Sequence, residues 1–273
     1  MSRIALIAGQ GALAPAVAAC LDDPLVFTLQ GFAPEGMDAT PFRLERLIPF
    51  LDELHAQGVT RVIFAGAIRR PRLDPDLFDP RTAQLVPRIL SALQSGDDAA
   101  LRTVLDIFEE NDLTICSISE IAPDLIPGEG VLTGAPSDAD RRDVDRAARI
   151  LAQTGPLDLG QGAVVTQGLC LALETLPGTA AMLDFAARHA DLRPNPGGAR
   201  GILYKAPKPG QDRRIDLPTL GPDSVDQAAA AGLAGIAWAA GGVILLDRAE
   251  ALRRAQAAGL FLWAAAPATG DPD

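Results

Sequence analysis

The first half of the chain alternates short apolar runs with amphipathic stretches. Apolar runs at residues 4–8, 25–29, 61–65 and 113–117 predict strands, and helical periodicity predicts helices at 12–20, 44–57, 82–93 and 97–110. Uninterrupted apolar strands that alternate with helices are typical of a parallel sheet covered on both faces. We therefore predict a Rossmann-like, doubly wound domain over residues 1–133, with its ligand side at the carboxyl ends of the strands.

The second half has a mixed pattern. Strands are predicted at 163–167, 170–174, 202–205, 233–239, 243–246 and 260–263, and helices at 179–189, 224–231 and 249–258. Residues 121–133 are rich in Pro and Gly, and a charged, Ser-capped helix at 137–153 follows them. The predicted fold class is α/β, with the N-terminal domain joined by a helical linker (134–155) to a mixed α/β catalytic domain (156–273).

The amino-acid composition limits the classes of molecule that the protein could bind. Hydrophobic residues make up 48% of the 273 positions, aromatic residues only 4%, and the net charge is −11. Nucleic-acid binding needs a basic surface and stacking aromatics, so no nucleic acid is expected as a partner. A local basic patch remains possible. The uncharged stretch 228–246 is rich in Ala and Gly, which favours a helix end and two strands over a membrane span.

The start of the chain and the cysteines point to a cytoplasmic protein. The apolar run at residues 4–7 is too short for a signal peptide. Cys20, Cys116 and Cys170 lie far apart in apolar runs without zinc-ligand spacing, so we expect buried free thiols.

A glycine turn follows the first predicted strand. Residues 9–14 fit the pattern G-x-G-x-x-G/A through Gly9, Gly11 and Ala14, and in this pattern backbone N–H groups at a helix N-terminus approach a diphosphate. A nicotinamide cofactor calls for an acid at the end of the second strand. Gln30 and Gly31 stand there instead, so NAD is disfavoured. A tight turn without a ligand is an equally good interpretation of so short a pattern.

Basic residues follow the predicted strand 61–65. Arg69 and Arg70 would lie beside the glycine turn and could meet phosphate there, and a solvated basic loop explains them as well. The two histidines, His55 and His189, fall near predicted helix ends and form no catalytic arrangement. A general base must therefore be a carboxylate, a lysine or a metal-bound water.

The densest group of polar residues is the loop 205–221. Prolines and a glycine prevent it from forming a helix, and it contains four cations and two carboxylates. Cations can clamp a phosphate-rich substrate, and a carboxylate can hold a divalent ion that activates water. Asp216 stands between Ile215 and Leu217, where an acid needs a purpose. The alternative, a mobile charged surface loop, explains the Pro, Gln and Thr content less well.

The chain resembles the UDP-2,3-diacylglucosamine pyrophosphatase family of lipid A biosynthesis, the two-domain type unrelated to the calcineurin-like enzymes. The resemblance is spread over residues 7–13, 64–71, 96–98, 158–165 and above all 205–221. It implies a Mg²⁺-dependent hydrolase that cleaves the diphosphate of a lipid-linked UDP-sugar to UMP and 2,3-diacylglucosamine 1-phosphate.

The resemblance also implies roles for particular residues. Asp216 becomes the essential acid, as metal ligand or water activator. The residues implied to contact the substrate are Gly9, Gly11, Ala12, Arg69, Gln167, Thr179, Lys205, Lys208, Gln211 and Thr219. Ala180 and Ala239 stand where the family commonly has acids, which puts metal ligation at those positions in doubt.

A diacylated substrate implies transient contact with a membrane surface, at the inner membrane, by a cytoplasmic protein, and the family suggests a possible homodimer. Two other functions remain open at this point. One is a non-catalytic binder of a lipid-linked nucleotide sugar. The other is a dinucleotide-dependent oxidoreductase that uses the glycine turn.

Overall fold

Two compact units make up the protein, Met1–Pro123 and Asp124–Asp273. The structure is a computed structural model that describes residues 3–68, 71–95 and 97–266. Each unit has its own central sheet.

The first unit contains a five-stranded parallel sheet in the order β3-β2-β1-β4-β5. Its strands are β1 (Arg3–Ala8), β2 (Leu25–Leu29), β3 (Thr40–Phe42), β4 (Val59–Ala65) and β5 (Thr114–Ile115). Its helices are α1 (Leu13–Ala18), α2 (Leu47–Ala56), α3 (Val86–Ser95), α4 (Asp97–Glu110) and α5 (Ile118–Ile121). The order reverses between β1 and β4, which is the arrangement of a doubly wound sheet and confirms the predicted fold class.

Helix α2 shows how the sequence pattern produces this layer. Leu47, Leu51 and Leu54 recur at helical spacing and are buried, so one face of α2 packs into the unit. Phe50 on the same helix stacks on Phe42, with ring centroids 4.0 Å apart, and meets Phe27 edge-on at 5.1 Å. Three of the chain's few aromatic residues thus pack together in this core.

The second unit contains a mixed six-stranded sheet in the order β6-β13-β11-β9-β7-β8 and a separate parallel pair, β10 and β12. The strands are β6 (Gly130–Thr133), β7 (Gly162–Thr166), β8 (Leu169–Leu173), β9 (Ile202–Lys205), β10 (Thr219–Leu220), β11 (Gly235–Ala239), β12 (Ile244–Leu245) and β13 (Phe261–Ala265). The helices are α6 (Asp138–Thr154), α7 (Thr179–Arg188), α8 (Pro222–Ala230) and α9 (Arg248–Ala258). Strands β9, β11 and β13 run parallel, whereas β6 and β7 run antiparallel to their neighbours.

Alternate residues of the central strands face different helices, as the two-residue period of a strand requires. On β9, Leu203 belongs to a core cluster with residues of α7, α8 and α9, and Tyr204 belongs to a cluster with residues of α6. Helix α6 therefore covers one face of the sheet, and the other three helices cover the opposite face.

The predicted domain boundary and the predicted linker are corrected by this arrangement. Val144, Ala147 and Leu151 of α6 are buried against the second sheet, so α6 is a core helix of the second unit. Strand β6 pairs with β13, which assigns residues 130–133 to the second unit as well. The boundary lies at Pro123. The sequence pattern did not indicate it, because the exposed face of α6 carries enough charge to conceal the narrow apolar stripe of the helix.

The structure also bears on the predictions made for the cysteines and for the uncharged stretch 228–246. Cys116 is buried as predicted, but Cys20 and Cys170 are exposed, so the prediction of buried thiols was wrong for these two. Across the described ranges, no helix is long and apolar enough to cross a bilayer. The uncharged stretch 228–246 forms the end of α8 and the buried strands β11 and β12.

Candidate functional site

The loop 205–221 begins at one edge of the second sheet, where β8, β9, β11 and β13 end and β7 begins. We call this the carboxyl edge. Lys205, the last residue of β9, pairs with Gly162 at the start of β7. The amide of Glu174, directly after β8, donates to the carbonyl of Gly162 at 2.8 Å. Register alone therefore brings Lys205 and Glu174 to the same place.

Three side chains at this edge form a closed group. The ammonium of Lys205 donates to the hydroxyl of Thr179 at 2.7 Å, and that hydroxyl donates to Oε1 of Glu174, also at 2.7 Å. Lys205 Nζ lies 3.4 Å from Glu174 Oε2. The two charged side chains are only 6% and 12% exposed. Lys205 is thus a buried cation paired with a carboxylate, and its implied contact with the diphosphate stays a prediction.

Burial lowers the pKa of the Lys205 ammonium, because the charged form loses water, and the Glu174 carboxylate opposes this shift. Glu174 was not among the predicted site residues. It could have been found, since it is the acid that ends the predicted strand 170–174, on the side where parallel strands end.

The loop that follows Lys205 is held by its own side chains. The Lys208 amide donates to Oε1 of Gln211 at 2.8 Å, and Nε2 of Gln211 donates to Oδ2 of Asp216. Gln211 is buried, and the amide of Asp216 donates to the carbonyl of Asp212 at 3.1 Å. These contacts argue against a mobile charged loop and give the half-buried Asp216 a defined partner.

A second ion pair joins this loop to the segment before β7. The Lys208 ammonium pairs with Asp158, an acid that the sequence analysis also missed. The Ala206 amide donates to the carbonyl of Gln161 at 3.0 Å in the same region. Thr219 lies near the end of the loop, on β10, opposite Ile244. Of the predicted contacts, Thr179, Lys205, Lys208, Gln211 and Asp216 are therefore gathered along the carboxyl edge.

Gln167 is separated from this group. It follows the far end of β7, five residues from Gly162, which corresponds to about 16 Å along an extended strand. Its side-chain amide donates to the carbonyls of Asn195 at 2.8 Å and Ala199 at 3.0 Å, and its Oε1 accepts from the Asn195 amide at 2.9 Å. Gln167 thus fastens a loop at the opposite edge, away from Lys205, and its implied contact with the substrate stays a prediction.

Two open clefts also lie at that opposite edge, with volumes of about 530 and 390 Å³. Gly198 and Ala199 line both of them. Neither lining includes a residue of the Lys205 group. Each cleft also has an arginine in its lining, Arg200 or Arg142, so cations alone do not choose between the edges. We place the candidate site at the carboxyl edge because Lys205, Lys208 and Asp216 of the loop 205–221 gather there.

In the first unit, the glycine turn packs against a neighbouring loop. The amides of Gly9 and Gln10 donate to the carbonyls of Ala65 and Ala67 at 2.8 and 2.9 Å. A Cβ on Gly9 would lie 2.7 Å from the carbonyl oxygen of Ala67. These two amides therefore serve the fold, and the close approach of two backbones explains Gly9. Gly11 and Ala12 continue the turn into α1, which is one and a half turns long. Arg69, Arg70 and Gly96 lie outside the described residues.

Both units match models of a single family along nearly their whole length. Residues 3–125 match the LpxI N-terminal domain, and residues 128–263 match the LpxI C-terminal domain. The chain belongs to the LpxI family. It is 37% identical, over 274 aligned positions, to the UDP-2,3-diacylglucosamine pyrophosphatase LpxI of Caulobacter vibrioides. The alignment covers 96% of this chain and 97% of that relative, which confirms the resemblance read from the sequence.

The LpxI family domains support the corrected boundary. The two matches meet between residues 125 and 128, close to the division of the structure at Pro123. The carboxyl-edge residues, from Asp158 to Asp216, all fall within the LpxI C-terminal domain.

The arrangement of acids in this LpxI domain limits the kind of metal ion it could hold. Among the described residues, no group of three or more His, Cys, Asp or Glu is placed to hold one. Mg²⁺ does not need such a group, because it commonly takes one or two carboxylates and completes its shell with water and substrate phosphates. Asp216 fits that requirement as a single carboxylate, whereas Glu174 is occupied by Lys205.

Proposed function

We propose that this chain hydrolyses the diphosphate of UDP-2,3-diacylglucosamine to UMP and 2,3-diacylglucosamine 1-phosphate in lipid A biosynthesis. Its full-length relationship to the curated pyrophosphatase carries the proposal, because 37% identity extends over both domains. The oxidoreductase alternative is disfavoured, since Gln30 follows β2 where a ribose-binding acid would stand.

The reaction adds water to one phosphorus and breaks the P–O–P bond, and the leaving phosphate carries away the electron pair. We assign Asp216 to the attacking water, either directly as a general base or through a metal ion. Gln211 holds Oδ2 of Asp216 and thereby orients the carboxylate. Lys205 and Lys208, three residues apart at the start of the same loop, supply positive charge for the diphosphate oxygens.

We also propose that Mg²⁺ takes part, with Asp216 as its protein ligand. When bound, the ion would neutralise charge on the diphosphate and lower the pKa of a coordinated water. The donor chemistry supports this, because a carboxylate oxygen is a ligand that Mg²⁺ prefers and the substrate itself brings phosphate oxygens.

We further propose that the carboxyl edge touches a membrane surface, where the diacylated substrate resides. Leu157, Leu159 and Leu176 are 69%, 41% and 96% exposed. They lie on two loops in contact, because a Cβ on Gly160 would be 2.2 Å from the carbonyl oxygen of Glu174. These leucines therefore flank the charged group that would hold the diphosphate. The homodimer and the cytoplasmic location stay predictions.

A UMP-release assay tests the function. We expect UMP from UDP-2,3-diacylglucosamine with Mg²⁺ present and its loss when EDTA removes the ion. Asp216→Asn keeps the shape of the side chain but removes its charge, so we expect kcat to fall by about 100-fold or more with little change in melting temperature. The control is Asp226→Asn, which alters a surface acid paired with Arg254.

Other results would favour other functions. Full activity in Asp216→Asn would exclude Asp216 as the essential acid. Retention of an intact UDP-lipid without turnover, seen by mass spectrometry of the purified protein, would identify a binder. A thermal shift with NAD(P) and no UMP release would revive the oxidoreductase hypothesis.

A further inference from the structure

The hydroxyl of Thr179 lies between the two charges of the carboxyl edge and uses both of its hydrogen-bonding functions there. It accepts from Lys205 and donates to Glu174, each at 2.7 Å. A hydroxyl has a single hydrogen to donate. The donation to Glu174 therefore leaves an oxygen lone pair directed at the lysine, which fixes the direction of the ammonium.

The carboxylate of Glu174 is confined by packing, and among the described residues its buried Oε2 accepts no hydrogen bond. A Cβ on Gly162 would lie 2.5 Å from Glu174 Oε2 and 3.2 Å from Cε of Met182. The glutamate side chain therefore occupies the space that the missing side chain of Gly162 leaves. A smaller or rotated side chain would leave Lys205 beside an empty, poorly solvated space.

A buried lysine destabilises the folded state unless an opposite charge compensates it. Removing either the lysine or its acid therefore leaves an unpaired buried charge. Yet Lys205 retains capacity for a ligand. An ammonium carries three N–H groups. Thr179 accepts one of them at 2.7 Å and Glu174 Oε2 lies 3.4 Å from Nζ as the counter-charge, which leaves an N–H for a phosphate oxygen.

We propose that Glu174, acting with Thr179, is a positioning residue that holds the Lys205 ammonium charged and directed at the diphosphate. This inference rests on the proposed function. Glu174 does not touch the reacting atoms. It acts through Lys205, as a fixed counter-ion that spares the enzyme from reorganising the cation when the substrate binds.

A double-mutant cycle measures this coupling directly. We expect Glu174→Gln and Lys205→Met each to lower kcat/KM for UMP release by about 100-fold, as loss of one preorganised charge does. The double variant should be little worse than either single variant, because residues that act as a unit are not additive. The control is Glu250→Gln, which breaks partly exposed ion pairs on α9 and should leave kcat/KM unchanged.

A second pair of variants covers the case in which Glu174→Gln does not fold. Thr179→Val keeps the shape but removes the hydroxyl, and Thr179→Ser restores it. We expect kcat/KM to fall about 10-fold or more in the valine variant and to recover in the serine variant. A purely structural role would lower the melting temperature of the valine variant and leave kcat/KM of the folded enzyme intact.

The outcomes separate the two proposals. Absence of UMP release from the wild-type chain would overturn both. Normal release by wild type, together with additive effects of Glu174→Gln and Lys205→Met or an unchanged kcat/KM in Glu174→Gln, would overturn the positioning role alone.

Discussion

Single residues at the carboxyl edge show how position changes chemistry. Lys205 and Lys208 are both charged loop residues in the sequence, and in the structure each is paired with an acid, Lys205 with Glu174 and Lys208 with Asp158. Each lysine therefore meets a substrate as half of an ion pair. A phosphate that approaches such a pair gains one partner for its charge and also meets a carboxylate, so the geometry of the pair governs the net attraction.

Gly66 gives the sharpest stability prediction at this scale. It has a φ of +100°, and a Cβ there would lie 2.5 Å from the carbonyl oxygen of Gly9. Gly66→Ala must strain the backbone and push two loops apart, so we expect a loss of about 2–4 kcal/mol of stability. Thermal unfolding followed by circular dichroism measures this loss.

The control for that substitution is Gly128→Ala. Gly128 has open space around its Cβ position and no left-handed φ. Its melting temperature should match that of the wild type. If Gly66→Ala also left the melting temperature unchanged, the close contact between Gly66 and Gly9 would not contribute to stability.

At the scale of elements, helix α6 decides how the chain divides. Ser137 caps it through a capping box with Asp140, and Asp143 accepts from the amides of Gln167 and Gly168 at 2.9 and 2.7 Å. The helix thereby holds the β7–β8 turn and covers one face of the second sheet. An element with these roles belongs to the unit it covers, since removing it would expose an apolar sheet face.

Two fragments test that assignment. We expect a fragment of residues 124–273 to unfold cooperatively on heating, because it retains both layers over the second sheet. A fragment of residues 156–273 lacks α6 and β6, so we expect it to show no cooperative transition and to bind a hydrophobic dye. Cooperative unfolding of the shorter fragment would restore the linker interpretation of α6.

At the scale of the whole molecule, charge and apolar surface oppose each other at a membrane. The net charge of −11 repels anionic lipid, whereas the exposed leucines beside the carboxyl edge favour an apolar phase. We therefore expect weak binding to neutral phosphatidylcholine vesicles, and weaker binding to anionic vesicles at low salt. Co-sedimentation measures both.

Leucine substitutions locate that contact. Leu157→Gln with Leu176→Gln should reduce the fraction of protein that sediments with neutral vesicles by about tenfold or more, since each buried leucine contributes roughly 1.5–3 kcal/mol. The matched control is Leu192→Gln, at a leucine that is 63% exposed and follows α7. Equal loss in the control variant would show that the contact does not lie at the carboxyl edge.

The sequence by itself determined the features that depend on local patterns. Apolar runs predicted the parallel sheet of the first unit, since a strand buried on both faces is apolar throughout. The loop 205–221 and Asp216 were identified by residue type. In the structure this charged loop is ordered by hydrogen bonds between its own residues.

Only the tertiary structure decided which distant residues meet. Strand register places Glu174 beside Lys205 and Gln167 at the opposite edge, although Gln167 lies only seven residues before Glu174 in the chain. A hairpin reverses direction, so residues close in sequence can end at opposite edges of a sheet. Pairing between strands depends on hydrogen bonds across many residues, and no local pattern records it.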